Sequence, residues 1–281
     1  MIIKDFFPAA PLRPYVHCFR ILHFQYAQSQ RIPLKAYQPK PEIVIHFVLR
    51  DFLSVKSSDS STTKFSPVTI VGQNAQTRIL TTGSEFLDLQ IVFHPTGFYR
   101  LTGIPANEIN DLLIDATSIF HVEADAAFHR LQNAENYFET LRLGENFVFG
   151  LIRKLKKSFD QKDAAIQHLI ESGGNLSLDW LAKESCLCAR QFERKFIERT
   201  GVNPKLLSRL ARFNKAVNMK NKYHEWNWLR IALECGYYDY QHLVKDYKLF
   251  TGGSPLTFHQ LEKKAPESVL GLAKDLWNSR S

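Results

Sequence analysis

Ile231-Ala-Leu-Glu-Cys-Gly-Tyr-Tyr-Asp-Tyr-Gln-His-Leu-Val-Lys-Asp-Tyr-Lys248, continued by Leu249-Phe-Thr-Gly-Gly-Ser-Pro255, decides how this chain is read. It spells a helix, a tight Gly-containing turn and a second helix stopping at Gly252, the order of a helix-turn-helix. A looser copy lies upstream. Leu181-Ala-Lys-Glu-Ser-Cys-Leu-Cys-Ala-Arg-Gln-Phe-Glu-Arg-Lys-Phe196 leads into Thr200-Gly-Val-Asn-Pro204, as Lys248 leads into Thr251-Gly-Gly-Ser-Pro255. Two such units about fifty residues apart are the arrangement needed to enter two successive segments of a DNA groove.

Caps and breaks predict the helices around them. Asp163 opens a helix through Ser172, ended by Gly173-Gly174; Ser177 caps Leu178 to Glu184; Ala189 to Arg199 follows. Asn203 caps a long helix with Pro204 in its first turn, running to about Lys220. Trp228 to Cys235, Tyr240 to Phe250 with Asp239 as cap, and a helix begun by Ser254-Pro255 complete seven. At about 1.5 Å per residue the connector spans roughly 27 Å, of the order of one DNA repeat.

Charge follows the same division. Residues 1 to 150 hold 13 Lys/Arg against 14 Asp/Glu, whereas residues 151 to 281 hold 23 against 14, so the whole excess of +8 sits in the helix-turn-helix half. Lys and Arg there neutralise phosphates and release counterions.

The residues from Ala164 to Lys263 resemble the DNA-binding domain of the AraC/XylS family of bacterial transcription regulators. Ile231-Ala, Gly236-Tyr, Gln241-His-Leu and the Thr-Gly-x-Ser-Pro ending fall in the family's register. The first unit departs from it: Cys186 stands where the family favours a turn-forming Gly or Asn, and Cys188 where it favours a Ser or Thr cap. The resemblance places Arg190, Glu193 and Arg194 of the first reading helix, and Tyr240, Gln241, Val244 and Lys245 of the second, at base-facing positions. Their chemistry suits the role, because Arg pairs with guanine, Glu accepts from cytosine, Gln pairs with adenine and Val meets a thymine methyl. Lys205, Arg209, Arg212, His242 and Lys248 are the candidates for backbone phosphate, which positions without specifying. For His242 a packed or capping role is the stronger alternative.

The N-terminal half has another character. Apolar or alternating runs at Val16 to Phe24, Ile43 to Leu49, Val68 to Val71, Arg78 to Thr82 and Leu87 to Phe93 predict a small antiparallel barrel or sandwich. Ser54 to Ser66 reads as a hairpin loop, and Leu131 to Lys157 as a helical stretch interrupted near Gly144. Leu12-Arg-Pro-Tyr-Val16, Pro41-Glu-Ile-Val-Ile-His-Phe47, Val92-Phe-His-Pro-Thr-Gly-Phe98 and Leu101-Thr-Gly-Ile-Pro-Ala106 are similar to cupin-like sensory domains that precede AraC-type modules. The resemblance implies a cavity for a small molecule, with Glu42 and His46 as candidate lining residues; a hydrogen-bonded core histidine is the plainer reading of His46.

The expected fold is thus α+β in two domains. Residues 1–160 form a small cupin-like β-barrel with helices, residues 161–264 an all-α double helix-turn-helix, and residues 265–281 a tail with Val269, Leu272 and Trp277 on a short helix. The resemblance implies double-stranded DNA, a small-molecule effector, a second copy of the chain and, for an activator, RNA polymerase as partners. A dimerising DNA binder without effector and a cupin-type enzyme fused to a DNA-binding module are the alternatives. No cofactor or metal is expected: the His-x-His pair of metal-binding cupins is absent, and Cys18, Cys186, Cys188 and Cys235 show no CxxC spacing. The Pro-Cys-His motif of DNA-repair methyltransferases and the phosphate-loop, Rossmann and nucleophile-elbow signatures are also missing, so no enzymatic activity is expected. No apolar run reaches bilayer length and the N-terminus lacks a signal-peptide plan, which points to the cytoplasm rather than a membrane.

Overall fold

The computed structural model describes residues 1–27, 32–56 and 61–272. Among the described residues, ten strands form two antiparallel sheets. They are β1 (Ile2–Phe6), β2 (Val16–His23), β3 (Lys35–Tyr37), β4 (Val44–Arg50), β5 (Leu53–Lys56), β6 (Thr62–Lys64), β7 (Val68–Val71), β8 (Arg78–Thr82), β9 (Leu87–Phe93) and β10 (Leu113–Asp115). The larger sheet has the order β1-β2-β9-β4-β7-β10 and the smaller β3-β8-β5-β6. The five expected runs are all strands; β1, β3, β5, β6 and β10 are short or at edges and carry little periodicity for a sequence to show.

Alternation along the large sheet builds two faces. Phe19, Ile21, Ile45, Phe47, Leu89, Ile91 and Phe93 point into the main core under the helices. Ile3, Val48, Val71 and Phe86 face the small sheet, where they meet Leu53, Val55 and Phe65. The two sheets thus oppose each other as a flattened barrel. Of the tract Ser54 to Ser66, β5 and β6 form a hairpin, with residues 57–60 outside the described residues.

Helices α1 (Gly97–Thr102), α2 (Thr117–Phe120), α3 (Val122–Gln132) and α4 (Tyr137–Ile152) cover the large sheet. The expected break near Gly144 is absent: α4 is continuous, and the interruption lies before it, where Asn136 caps the helix by accepting from Glu139 N. Gly144 serves packing instead. A Cβ there would come within 2.9 Å of Leu89 Cδ2, so glycine lets α4 lie directly on β9 and β2.

Seven further helices follow: α5 (Gln161–Glu171), α6 (Leu178–Glu184), α7 (Ala189–Thr200), α8 (Pro204–Lys222), α9 (Trp228–Glu234), α10 (Tyr240–Thr251) and α11 (Pro255–Glu262). A short α12 (Pro266–Val269) comes next. α5 starts two residues before the expected Asp163. Asp160 is its cap and Asp163 closes a reciprocal capping box; both are Asp three residues apart, so composition alone does not tell the cap from its partner. Of the expected tail helix, Val269 lies in α12 and Leu272 packs beside the inter-sheet core, while Trp277 lies outside the described residues. No described helix is long and apolar enough to cross a membrane.

Candidate nucleic-acid interface and ligand cavity

The second unit, α9 and α10, is set by its core. Ile231, Ala232, Cys235, Leu243, Tyr247 and Phe250 are buried with Phe213 of α8 and Phe258 of α11. Asn227 Oδ1 accepts from Arg230 N at 2.8 Å, and Asp239 Oδ1 from His242 N at 2.7 Å, so each helix enters on a side-chain cap. With Leu243, Tyr247 and Phe250 inward, Gln241, Lys245 and Lys248 form an exposed stripe at i, i+4 and i+7. Tyr240 and Val244 are half-buried at its edge, and His242 is half-buried with its ring edge-on to Tyr237 at 5.2 Å. Tyr238, 88% exposed before the helix start, is a candidate contact that the sequence reading missed because it lies in the turn.

In the first unit, Phe192 and Phe196 are fully buried on α7 and pack with Leu181, Ile166 and Leu169. Arg190, Gln191 and Arg194 are exposed and Glu193 half-buried. The unit keeps a side-chain cap on α6, where Ser177 Oγ accepts from Trp180 N, but lacks two of the second unit's local reinforcements. Cys188 occupies the cap position of α7 without a side-chain hydrogen bond, and Cys186 in the turn has φ of 53°. None of the four cysteines is in a disulfide.

Connector α8 begins on Asn203, whose Oδ1 accepts from Leu206 N at 2.8 Å, and at 19 residues is about 28 Å long. Its cations divide into two kinds. Lys205 is exposed. Arg209 donates Nε to Oδ1 of Asp246 at 2.8 Å, and Asp246, wholly buried on α10, also accepts from Tyr237 OH. Burial first, and then that carboxylate, push the Tyr237 phenol far up. Arg212 lies over the Tyr237 ring and donates to Gly236 O at 3.3 Å. Arg209 and Arg212 therefore tie α8 to the turn and second helix of the second unit, a use of arginine that helical periodicity alone cannot distinguish from a solvent-facing one.

Helices α7 and α10 are both anchored at their C-terminal ends on the N-terminal domain. Asn110 Nδ2 donates to Gly201 O just beyond α7, and Tyr99 OH of α1 donates to Glu198. Thr77 donates its N–H (2.8 Å) and its hydroxyl (3.0 Å) to Phe250 O near the end of α10. Asn214 Nδ2 of α8 donates to Pro39 O at 2.8 Å. Arg190 and Arg194, in the first half of α7, and Gln241 and Lys245, in the first half of α10, stay exposed.

Between the two sheets lies a cavity of about 110 Å³. Its floor is a polar row crossing the large sheet in register: Arg20 pairs with Gln90 and Gln90 with His46, flanked by Asp5 and Thr69. Arg20 donates to Asp5 at 2.6 Å; burial alone would lower the guanidinium, but Asp5 and Glu42 hold it well above the usual range. His46 Nδ1 is 2.9 Å from Asp88 Oδ2, which also accepts from Gln90 Nε2 at 3.0 Å. The walls are Leu22, Phe24, Leu53, Phe65, Leu80 and Phe86. His46 thus lines the cavity within a hydrogen-bonded network. Glu42 stands behind Arg20, accepts from Tyr37 OH at 2.6 Å, and borders the cleft between the domains instead.

The helical domain closes this cavity. Lys35 Nζ of β3 is held by Glu262 Oε1 of α11 at 2.8 Å and by Glu267 of α12. Burial works against its charge, yet the two carboxylates raise it to about 12. This cluster is invisible in the sequence, since Lys35 lies more than 220 residues from Glu262 and Glu267 and the three follow no motif. Among the described residues no group of three His, Cys, Asp or Glu side chains is placed to hold a metal ion.

A family model described as a domain of unknown function, DUF6597, matches residues 4–115, from β1 to the end of β10. No curated protein matches the chain. Among solved structures, it is similar to ToxT from Vibrio cholerae, with 11% identity, a TM-score of 0.48, and coverage of 86% of this chain and 98% of that one. An unsaturated fatty acid-bound form of ToxT gives 13% identity, a TM-score of 0.46, and coverage of 85% and 93%. The AraC-like transcriptional activator CuxR gives 12% identity and a TM-score of 0.20, covering 91% of this chain and 81% of that one. The chain itself pairs a β-sheet N-terminal domain with a C-terminal helical domain in which α6–α7 and α9–α10 form two helix-turn-helix units.

Proposed function

We propose that this protein is a sequence-specific, DNA-binding transcription regulator that places α7 and α10 in successive major-groove segments. The observation that carries the reading is the pair of capped or turn-entered helices, each with a buried aromatic stripe and an exposed polar stripe, joined by a connector of about 28 Å. Arg190, Glu193 and Arg194, and Tyr240, Gln241, Val244 and Lys245, are assigned to bases; Lys205 and Lys248 supply phosphate contacts. Arg209 and Arg212 are assigned to holding the second unit together. The inter-sheet cavity, closed by α11 and α12, is the proposed effector site. A second copy of the chain and RNA polymerase are the proposed protein partners of an activator.

The test is an affinity measurement on a duplex obtained by random-site selection with the purified protein. Binding should weaken steeply with salt and favour the selected duplex over a scrambled one by about a thousandfold or more at physiological salt. Equal affinities for the two would refute sequence-specific regulation and leave only a general DNA binder.

A further inference from the structure

Alternation along the β3–β8 ribbon gives it two opposed functions. Lys35 and Tyr37 of β3, and Arg78 and Leu80 of β8, line the cavity. Ala36 and Ile79, paired across the ribbon between them, pack into the core of the second helix-turn-helix unit. One two-stranded wall therefore separates the cavity from a reading helix.

Arg78 is where that wall meets the anchors of both reading helices. Its Nη2 donates to Asp111 O at 2.6 Å. Asp111 in turn donates its N–H to Gln73 O at 3.0 Å and accepts from Ala75 N at 3.2 Å, so segments 73–78 and 110–111 are laced together. Thr77 in the first segment holds Phe250 O of α10, and Asn110 in the second holds Gly201 O after α7. A shift of Arg78 thus bears on both helices at once.

The polar groups at this end of the cavity are incompletely satisfied. Arg78 Nη1 and Asn74 Oδ1 are buried with no hydrogen-bond partner among the described residues, and Asn74 is 6% exposed. The other cavity cations have close carboxylates: Lys35 has Glu262 and Glu267, Arg20 has Asp5 and Glu42, and Lys40 has Glu42. Among the described residues the one carboxylate within 4 Å of Arg78 is that of Asp111, 3.8 Å away and 61% exposed. Burial lowers the Arg78 guanidinium despite that neighbour, as expected of an undercompensated charge.

We propose that the cavity takes a small carboxylate with an apolar body, its carboxylate accepting from Arg78 Nη1 and its body lying against Leu53, Phe65 and Phe86, and that occupancy is relayed through segments 73–78 and 110–111 to α7 and α10. This rests on the reading of the cavity as an effector site. Asn74 contributes its amide, whose oxygen and nitrogen can exchange places to meet the ligand. The Lys35 end already carries one more carboxylate than cation and disfavours an anion, which fixes the ligand's direction.

Three matched probes test it on the full chain without DNA: 3-phenylpropionate, 3-phenylpropanamide and 3-phenylpropylamine. The carboxylate should raise the melting temperature and should bind at least about tenfold more tightly than the amide, as loss of a charge-assisted hydrogen bond requires. Arg78→Gln should abolish that preference and Arg78→Lys should weaken it. Hydrogen exchange on the wild-type protein should change on carboxylate binding at both 195–201 and 247–252. Equal effects of acid and amide, stabilisation by the amine alone, no stabilisation by any probe, or exchange unchanged at both helix ends would each overturn the proposal. Because no DNA is present, these failures leave the DNA-reading assignment standing, and its failure would leave this result intact.

Discussion

Cys186 stands in the turn of the first unit where Gly236 stands in the turn of the second, and both backbones are left-handed, with φ of 53° and 82°. The surrounding hydrogen bonds repeat as well: Cys186 N to Lys183 O and Leu187 N to Ala182 O match Gly236 N to Leu233 O and Tyr237 N to Ala232 O. The turn geometry is conserved between units while the residue suited to it is not. A side chain in this region costs about 1 kcal/mol. Cys186→Gly should therefore stabilise the protein by roughly that amount in urea denaturation. Cys188→Ser, which supplies the missing cap of α7, should add a further gain of about 1 kcal/mol. No gain from either would mean that the first turn is relaxed as it stands.

The opposite change at Gly236 should be costly. A Cβ there would sit 2.9 Å from Asn175 Oδ1 in addition to the unfavourable φ, so Gly236→Ala should lower the melting temperature more than Cys186→Gly raises it.

Asp246 gives a sharper test of how arginine is used in this domain. It is buried completely, and Arg209 and Tyr237 both direct polar atoms at it. Asp246→Ala would strand the Arg209 guanidinium and should cost about 3–5 kcal/mol. Replacing both residues, as Arg209→Met with Asp246→Leu, should recover most of that loss in the same denaturation assay. If the single and double variants were equally unstable, the ion pair would not be the reason the carboxylate matters.

Much of this was legible beforehand. Ser177, Asn203, Asp239 and Ser254 act as the caps their positions implied, because a cap needs only a short side chain and the next three residues. The paired phenylalanines of α7 and the Leu243 and Tyr247 stripe of α10 followed from helical periodicity. What stayed hidden depends on residues distant in the chain. Arg209 looked like a surface cation until Asp246, 37 residues away, was placed beside it. The polar row of Arg20, Gln90 and His46 exists only through strand register, which no local pattern carries.

Acid should weaken the fold through two histidines. His94 is pushed down to about 4, first by burial and then by His17 beside it, and His259 to about 4 by burial with Lys263, Lys220 and His224. An unfolded imidazole titrates near 6.5, so between pH 6.5 and 4 the unfolded chain binds protons that the folded one refuses. This contribution is constant above 6.5, and stability falls as pH drops toward 4. Urea midpoints at pH 7 and pH 5 should show the loss, and His94→Asn should reduce the difference between them. A midpoint that rose on acidification, or a His94→Asn difference as large as wild type, would contradict this assignment.

The central claim is that two reading helices meet DNA with separable base contacts. It is tested most directly by measuring affinities for every single-base-pair variant of a selected duplex with wild type, Arg194→Ala and Gln241→Ala. Each variant should relax preference at one or two base pairs, by about 1–3 kcal/mol, with the two affected positions about one helical turn apart. Uniform weakening across all duplexes in both variants would contradict it.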